Sequence, residues 1–235
     1  MDLKAILFDM DGTLIPMDQE IFVQGYLKEL SEVLCPLGVN PEKLVAAIWD
    51  GTGAMMANDG QRRNDEVFWE HFLRICPDVP GMMPALDRFY REEFHKVKVY
   101  TGENPLAAEA VRLAHGNGRK VVLATNPLFP MDGQMTRMSW VGLRMEDFDL
   151  VTSYETDWFC KPNPQYYHSI CERIGVAPQE CLMIGNDEKE DMYAAAAAGM
   201  NCYLVTDTCI LREKYPWNGE KGTFAELVEK LKGIK

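Results

Sequence analysis

Five short apolar runs, at residues 5–8, 120–125, 148–153, 181–184 and 202–205, constrain the fold of this 235-residue chain more than any other feature. Their apolar residues follow one another without strict alternation, as they do where both faces of a strand are covered. Helical sequence separates them, at residues 106–115, 131–141, 164–174 and an alanine-rich 187–198 that Gly199 closes, and a last helix is expected at 224–231. Strands alternating with helices imply an α/β fold, a doubly wound parallel sheet with helices on both faces. Ligands of such sheets bind beyond the carboxyl ends of the strands, so the polar residues at the strand exits carry the information about chemistry.

Between the first run and the second the rhythm is almost wholly helical. Ile21, Tyr26, Leu27, Leu30, Val33 and Leu34 mark one amphipathic helix before Pro36. Pro41 opens a second, with Leu44, Val45 and Ile48 at helical spacing. Asn64-Asp65-Glu66 gives a third an acidic start, ahead of Val67, Phe68, His71, Phe72 and Ile75. Pro84 starts a fourth, with Leu86, Phe89, Tyr90 and Phe94. Residues 51–60, with glycines at 51, 53 and 60, read as a mobile loop between the second and third. The expected division is an α/β core of residues 1–16 and 99–235 with a small all-helical cap of residues 17–98.

The strand exits carry four motifs. Phe8 runs straight into Asp9-Met10-Asp11-Gly12-Thr13. Alternate side chains of an extended backbone share a direction, so Asp9 and Asp11 converge on one ligand if that geometry persists. Two acids at the end of a buried strand are costly unless a cation or a substrate needs them, although Asp-Gly also reads as a plain turn. The second strand ends in Thr125-Asn126, a hydroxyl and an amide placed to meet an anion. Lys161, in Cys160-Lys161-Pro162-Asn163-Pro164, offers a compact positive charge for phosphate oxygens. Gly185-Asn186-Asp187 follows the fourth strand, with Asp191 four positions after Asp187 and so on the same helical face.

In this order the four motifs resemble those of the haloacid dehalogenase superfamily, whose members are mostly magnesium-dependent phosphohydrolases, many with a helical cap after the first motif. The resemblance implies that Asp9 is the nucleophile that takes the phosphoryl group of a small phosphorylated metabolite, and that Asp11 is the acid and base. It implies Thr125, Asn126 and Lys161 as phosphate-binding groups and Asp191 as a support for Lys161. It also implies Mg²⁺ as cofactor, held by Asp9, Asp11 (through its backbone carbonyl) and Asp187. Gly-Asn-Asp departs from the family's commoner Gly-Asp, so Asn186 or Asp187 faces the metal; a carboxylate suits Mg²⁺ better than an amide, which favours Asp187. Asp11 argues against a dehalogenase acting on carbon. A phosphomutase shares the core motifs and remains an alternative, whereas the intact Asp9, Asp11, Lys161 and Asp187 argue against a phosphate- or partner-binding module that has lost catalysis. Arg62 and Arg63, between cap helices, are candidates for contacting the leaving group.

Composition narrows the partners. A formal net charge of -12 disfavours nucleic acid and anionic membrane surfaces, while a bound cation and a lysine reverse the sign locally for a phosphate ester. The seven cysteines form no C-x-x-C pair and the four histidines are dispersed, so no zinc spacing appears. Neither a signal peptide nor an apolar stretch of membrane-spanning length is evident, and the expectation is a cytoplasmic protein with reduced cysteines.

Overall fold

Six parallel strands, β1 (Ala5–Phe8), β2 (Lys120–Leu123), β3 (Leu150–Val151), β4 (Cys181–Gly185), β5 (Asn201–Val205) and β6 (Lys221–Gly222), pair in the order β3-β2-β1-β4-β5-β6. The computed structural model describes residues 3–234; Met1, Asp2 and Lys235, which the expected core includes, lie outside the described residues. The sheet is covered on both faces. Ile6, Phe8, Val121, Leu123, Leu182 and Ile184 pack into one apolar cluster, and Ala5, Leu7, Val122, Ala124, Cys181 and Met183 into the other. Successive residues of each strand thus supply both cores, which is why the runs show no alternation.

Register fixes the site. Phe8, the last residue of β1, pairs with Leu123 on one side and Ile184 on the other. The three central strands therefore end level, and Asp9, Thr125 and Asn186 emerge within two residues of that line.

Helices α1 (Gln19–Leu34), α2 (Pro41–Met56), α3 (Asn64–Ile75) and α4 (Met82–Arg88) follow β1. The loop expected at 51–60 is mostly helix, since α2 continues to Met56. Gly51 faces α3, and a Cβ there would meet the Phe68 ring at 2.6 Å. Close packing against Phe68 thus overrides a weak helix former, whose intrinsic cost is about 1 kcal/mol. The fourth helix starts at Met82, earlier than Pro84, and passes through a π turn at Phe89–Glu93 into a 3₁₀ segment at Phe94–Tyr100. Aromatic packing ties this layer to the segment after β2, with the Tyr26 and Phe94 rings 5.2 and 5.8 Å from Phe129.

Helices α5 (Ala107–Ala114), α6 (Met131–Trp140), α7 (Pro164–Ile174), α8 (Ala194–Ala197) and α9 (Phe224–Gly233) complete the covering layers. The alanine-rich helix departs from expectation at its start, where Glu188–Tyr193 forms a π turn before α8. Strand β6 has no apolar run to announce it; two residues pair at the sheet edge. All seven cysteines are free. Among the described residues no helix is long and apolar enough to cross a membrane.

Candidate active site

The chain turns sharply at the end of β1. The Asp9 amide still donates to Ile184 at 2.9 Å, but the Ile15 amide returns to the Met10 carbonyl at 2.9 Å and Gly12 has φ +88°. A side chain at Gly12 would also collide with the amide of Asn186 at 2.1 Å, so only glycine fits between the first and fourth motifs. The turn ends the extended geometry after Asp9, yet Asp9 and Asp11 line one cavity of about 180 Å³, together with Thr125, Asn126, Asn186 and Asp187.

Asp9 and Lys161 are both buried, and Lys161 Nζ donates to Asp9 Oδ1 at 2.8 Å and to Asp191 Oδ1 at 2.6 Å. Burial pushes the Asp9 carboxyl up to about 8, against the pull of Lys161 and with help from Asp191 and Asp11. Burial opposes the charge on Lys161, but Asp191 and Asp9 outweigh it and hold the ammonium well above its ordinary range. Asp191 Oδ2 accepts the backbone N–H groups of Asn186 and Asp187, each at 3.0 Å. A Cβ at Gly185 would stand 2.3 Å from the Asp191 carboxyl, so this glycine permits the loop to close on its own acid. The lysine loop is anchored by the Lys161 amide, which donates to Asn126 Oδ1 at 3.2 Å. Thr125 is buried with its Oγ1 unpartnered, while its carbonyl accepts the hydroxyls of Thr152 and Tyr166 at 2.7 and 2.8 Å. The structure thus brings Asp9, Asp11, Thr125, Asn126, Lys161, Asp187 and Asp191 together at one strand edge.

Asp187 carries other duties. Its Oδ1 caps the following turn by accepting the amides of Lys189 and Glu190 at 2.7 and 2.9 Å, and Arg212 Nε donates to Oδ2 at 3.1 Å. Asn186 Oδ1 lies 3.5 Å from the Thr13 hydroxyl, and its Nδ2 donates to the Thr208 carbonyl at 2.8 Å.

Arg62 and Arg63 stand elsewhere. Arg62 pairs with Glu70, and Arg63 Nε meets Asp65 Oδ1 at 3.1 Å, both on the surface of the helical layer and neither lining the cavity. A different arginine, Arg137, fully buried in α6, does reach the site. It pairs with Asp11 Oδ2 and with Gln134, and its guanidinium lies 4.3 Å over the Phe129 ring. Sequence reasoning missed it because α6 buries Gln134, Thr136 and Arg137 beside Met138 and Trp140, and a polar core face leaves no apolar stripe. Glu190 was missed as well. It lines the cavity, accepts from Asn126 Nδ2 at 3.2 Å, and burial pushes its carboxyl up to about 7.

The donor set fits a hard divalent cation. Asp9, Asp11, Asp187, Glu190 and Asp191 line the cavity with no lysine or arginine among its lining residues, and the buried Asp11 Oδ1 has no partner. No three His, Cys, Asp or Glu side chains among the described residues form a ready-made metal cage.

A sequence profile described as haloacid dehalogenase-like hydrolase matches residues 3–199. The phosphoglycolate phosphatase of Nitrosospira multiformis is 27% identical over 214 residues, covering 87% of this chain and 84% of that protein. The phosphoglycolate phosphatase of Escherichia coli is 24% identical, covering 84% of this chain and 79% of its own. In fold, the HAD phosphatase of Thermococcus onnurineus superposes with a TM-score of 0.63 at 23% identity, over 98% of this chain and 99% of that one. With four motifs gathered at one strand edge and a profile that spans most of the sequence, the chain belongs to the haloacid dehalogenase-like hydrolases and is an enzyme of their phosphatase type.

Proposed function

We propose that this protein is a Mg²⁺-dependent phosphohydrolase that transfers the phosphoryl group of a small monoester to Asp9 and then to water. The observation that carries the reading is the buried Asp9–Lys161–Asp191 array beside the unpartnered Thr125 hydroxyl, at the level ends of β1, β2 and β4. Lys161 holds Asp9 Oδ1, and Oδ2 has only a 3.3 Å contact from Thr13, so Oδ2 is the freer oxygen to attack phosphorus. Thr125 Oγ1, the Asn126 amide and the Lys161 ammonium are the donors for the equatorial oxygens, where charge is spread in the transition state. Asp11 gives its proton to the departing alkoxide, then takes one from the water that cleaves the aspartyl phosphate. Arg137 fixes the direction of that carboxyl.

Asp9 and the Asp11 carbonyl would hold Mg²⁺ together with Asp187, whose carboxylate Arg212 holds in this structure; Asn186 Oδ1 is the neutral alternative. Bound there, the ion neutralises the clustered carboxylates and polarises the phosphoryl group. The test is incubation with ethyl phosphate and an aryl phosphate, each with Mg²⁺ or EDTA. Release of inorganic phosphate that needs Mg²⁺ is expected; release that persists in EDTA, or no turnover of either monoester, overturns the reading.

A further inference from the structure

A second cavity, of about 130 Å³, lies between α1, α2, α3 and the turn after β2. Its walls are apolar and aromatic, with Leu30, Ile48, Phe68, Phe72 and Leu128 among them. Val23, Leu128 and Phe129 line both this chamber and the catalytic cavity, so the two adjoin through a shared wall. On its helical side the catalytic cavity is lined by Met17, Phe22, Val23 and Met56, with the uncharged amide of Gln19 the polar group among them.

No lysine or arginine lines either space. The buried cations nearby are committed, Lys161 to Asp9 and Asp191, and Arg137 to Asp11. The hydroxyls of Tyr26 and Tyr90, which line the chamber, bond each other at 2.7 Å. A second phosphate or a carboxylate on the substrate would therefore be desolvated without a counter-charge, a cost of several kcal/mol. An apolar ring or branched chain would lose only its water. A dry chamber of roughly 150 Å³ is known to accept benzene, so this one is of single-ring size.

We infer that the substrate is the phosphate monoester of an uncharged, largely apolar alcohol, whose aryl or branched aliphatic end enters the chamber beyond Val23 and Phe129. This rests on the phosphohydrolase reading above and adds the leaving group to it. It also separates the chain from relatives named for phosphoglycolate, whose ester carries a carboxylate.

The experiment compares kcat/KM for benzyl, 2-phenylethyl and 3-phenylpropyl phosphate with that for ethyl phosphate and 2-phosphoglycolate, all with Mg²⁺. At least one phenylalkyl ester should exceed both small substrates by about 10- to 100-fold, the value of burying a ring. Thr52→Trp, which fills the chamber from α2, should bring the ratio of the best phenylalkyl ester to ethyl phosphate down toward one. Turnover of 2-phosphoglycolate or ethyl phosphate equal to or better than every phenylalkyl ester overturns the inference and leaves the phosphatase reading standing. Absence of turnover on all five substrates overturns both.

Discussion

The two sides of the catalytic cavity are built on opposite plans. The sheet side is a net of charged and polar groups, with Lys161 between Asp9 and Asp191, Asp191 on two backbone amides and Asp11 on Arg137, that leaves the buried Asp11 Oδ1 and Thr125 Oγ1 without partners. The helical side contributes Met17, Phe22, Val23 and Met56, with Gln19 as an uncharged polar group, and no charge. A preorganised polar floor stabilises developing charge without reorganising, whereas an apolar roof excludes water and selects by shape. On the function proposed above, chemistry and selectivity would be carried by different stretches of sequence, the first by strand exits and the second chiefly by helices inserted between β1 and β2.

Breaking the floor should give the largest effect. Asp9→Asn keeps the shape and removes the nucleophile, and turnover should fall by at least ~10³ on every substrate. A variant that retains more than a tenth of the wild-type rate would sink the covalent mechanism. Asp11→Asn should cost ~10²–10³, with alkyl esters hit harder than aryl esters in single-turnover phosphorylation because poor leaving groups need the proton more. Equal losses for both would remove Asp11 from the acid role. Arg137→Leu frees the Asp11 carboxyl and should lower kcat by roughly 10- to 100-fold while KM hardly moves, with partial recovery in Arg137→Lys. A KM effect alone would make Arg137 a binding group.

The metal-facing residue of the fourth motif is a finer question about the same floor. Asp187→Ala should raise the Mg²⁺ concentration for half-maximal activity by about 10-fold, and Asn186→Ala by less, since a carboxylate is the harder donor. The reverse order in a Mg²⁺ titration would assign the site to Asn186 and leave Asp187 as a cap and a partner for Arg212. The smallest effect belongs to the surface of the helical layer. Arg62→Ala and Arg63→Ala should each change kcat/KM by less than about 2-fold, because exposed pairs such as Arg62–Glu70 contribute little and neither side chain lines the cavity. A tenfold loss in either variant would show that the layer closes further than it does here.

Much of this design was written in local sequence. Uninterrupted apolar runs could only be strands covered on both faces, and α7 could be read from Asn163-Pro164 and the closing Gly175 because capping is a nearest-neighbour effect. The catalytic floor was legible for a related reason: Asp9, Thr125, Lys161 and Asp187 each sit beside a strand end, a helix start or a proline, where a polar residue has few structural excuses. Sequence failed where the deciding neighbour is distant. Gly51 and Gly53 look like loop residues until Phe68 is seen to occupy the space beside Gly51. Arg62 and Arg63 have the right chemistry for a substrate contact, but Glu70 and Asp65 hold them on the surface.

The sequence by itself determined the alternation of strands and helices and the motifs at the strand exits, since both follow from periodicity and from turn chemistry within a few residues. Tertiary structure alone decided which buried arginine meets Asp11, which acid Arg212 holds, and that the cavity adjoining the one Asp9 lines has apolar and aromatic walls. Those outcomes depend on contacts between residues 25 to 126 positions apart, Asp187 with Arg212 and Asp11 with Arg137, and no local pattern encodes which distant side chain will cancel a buried charge.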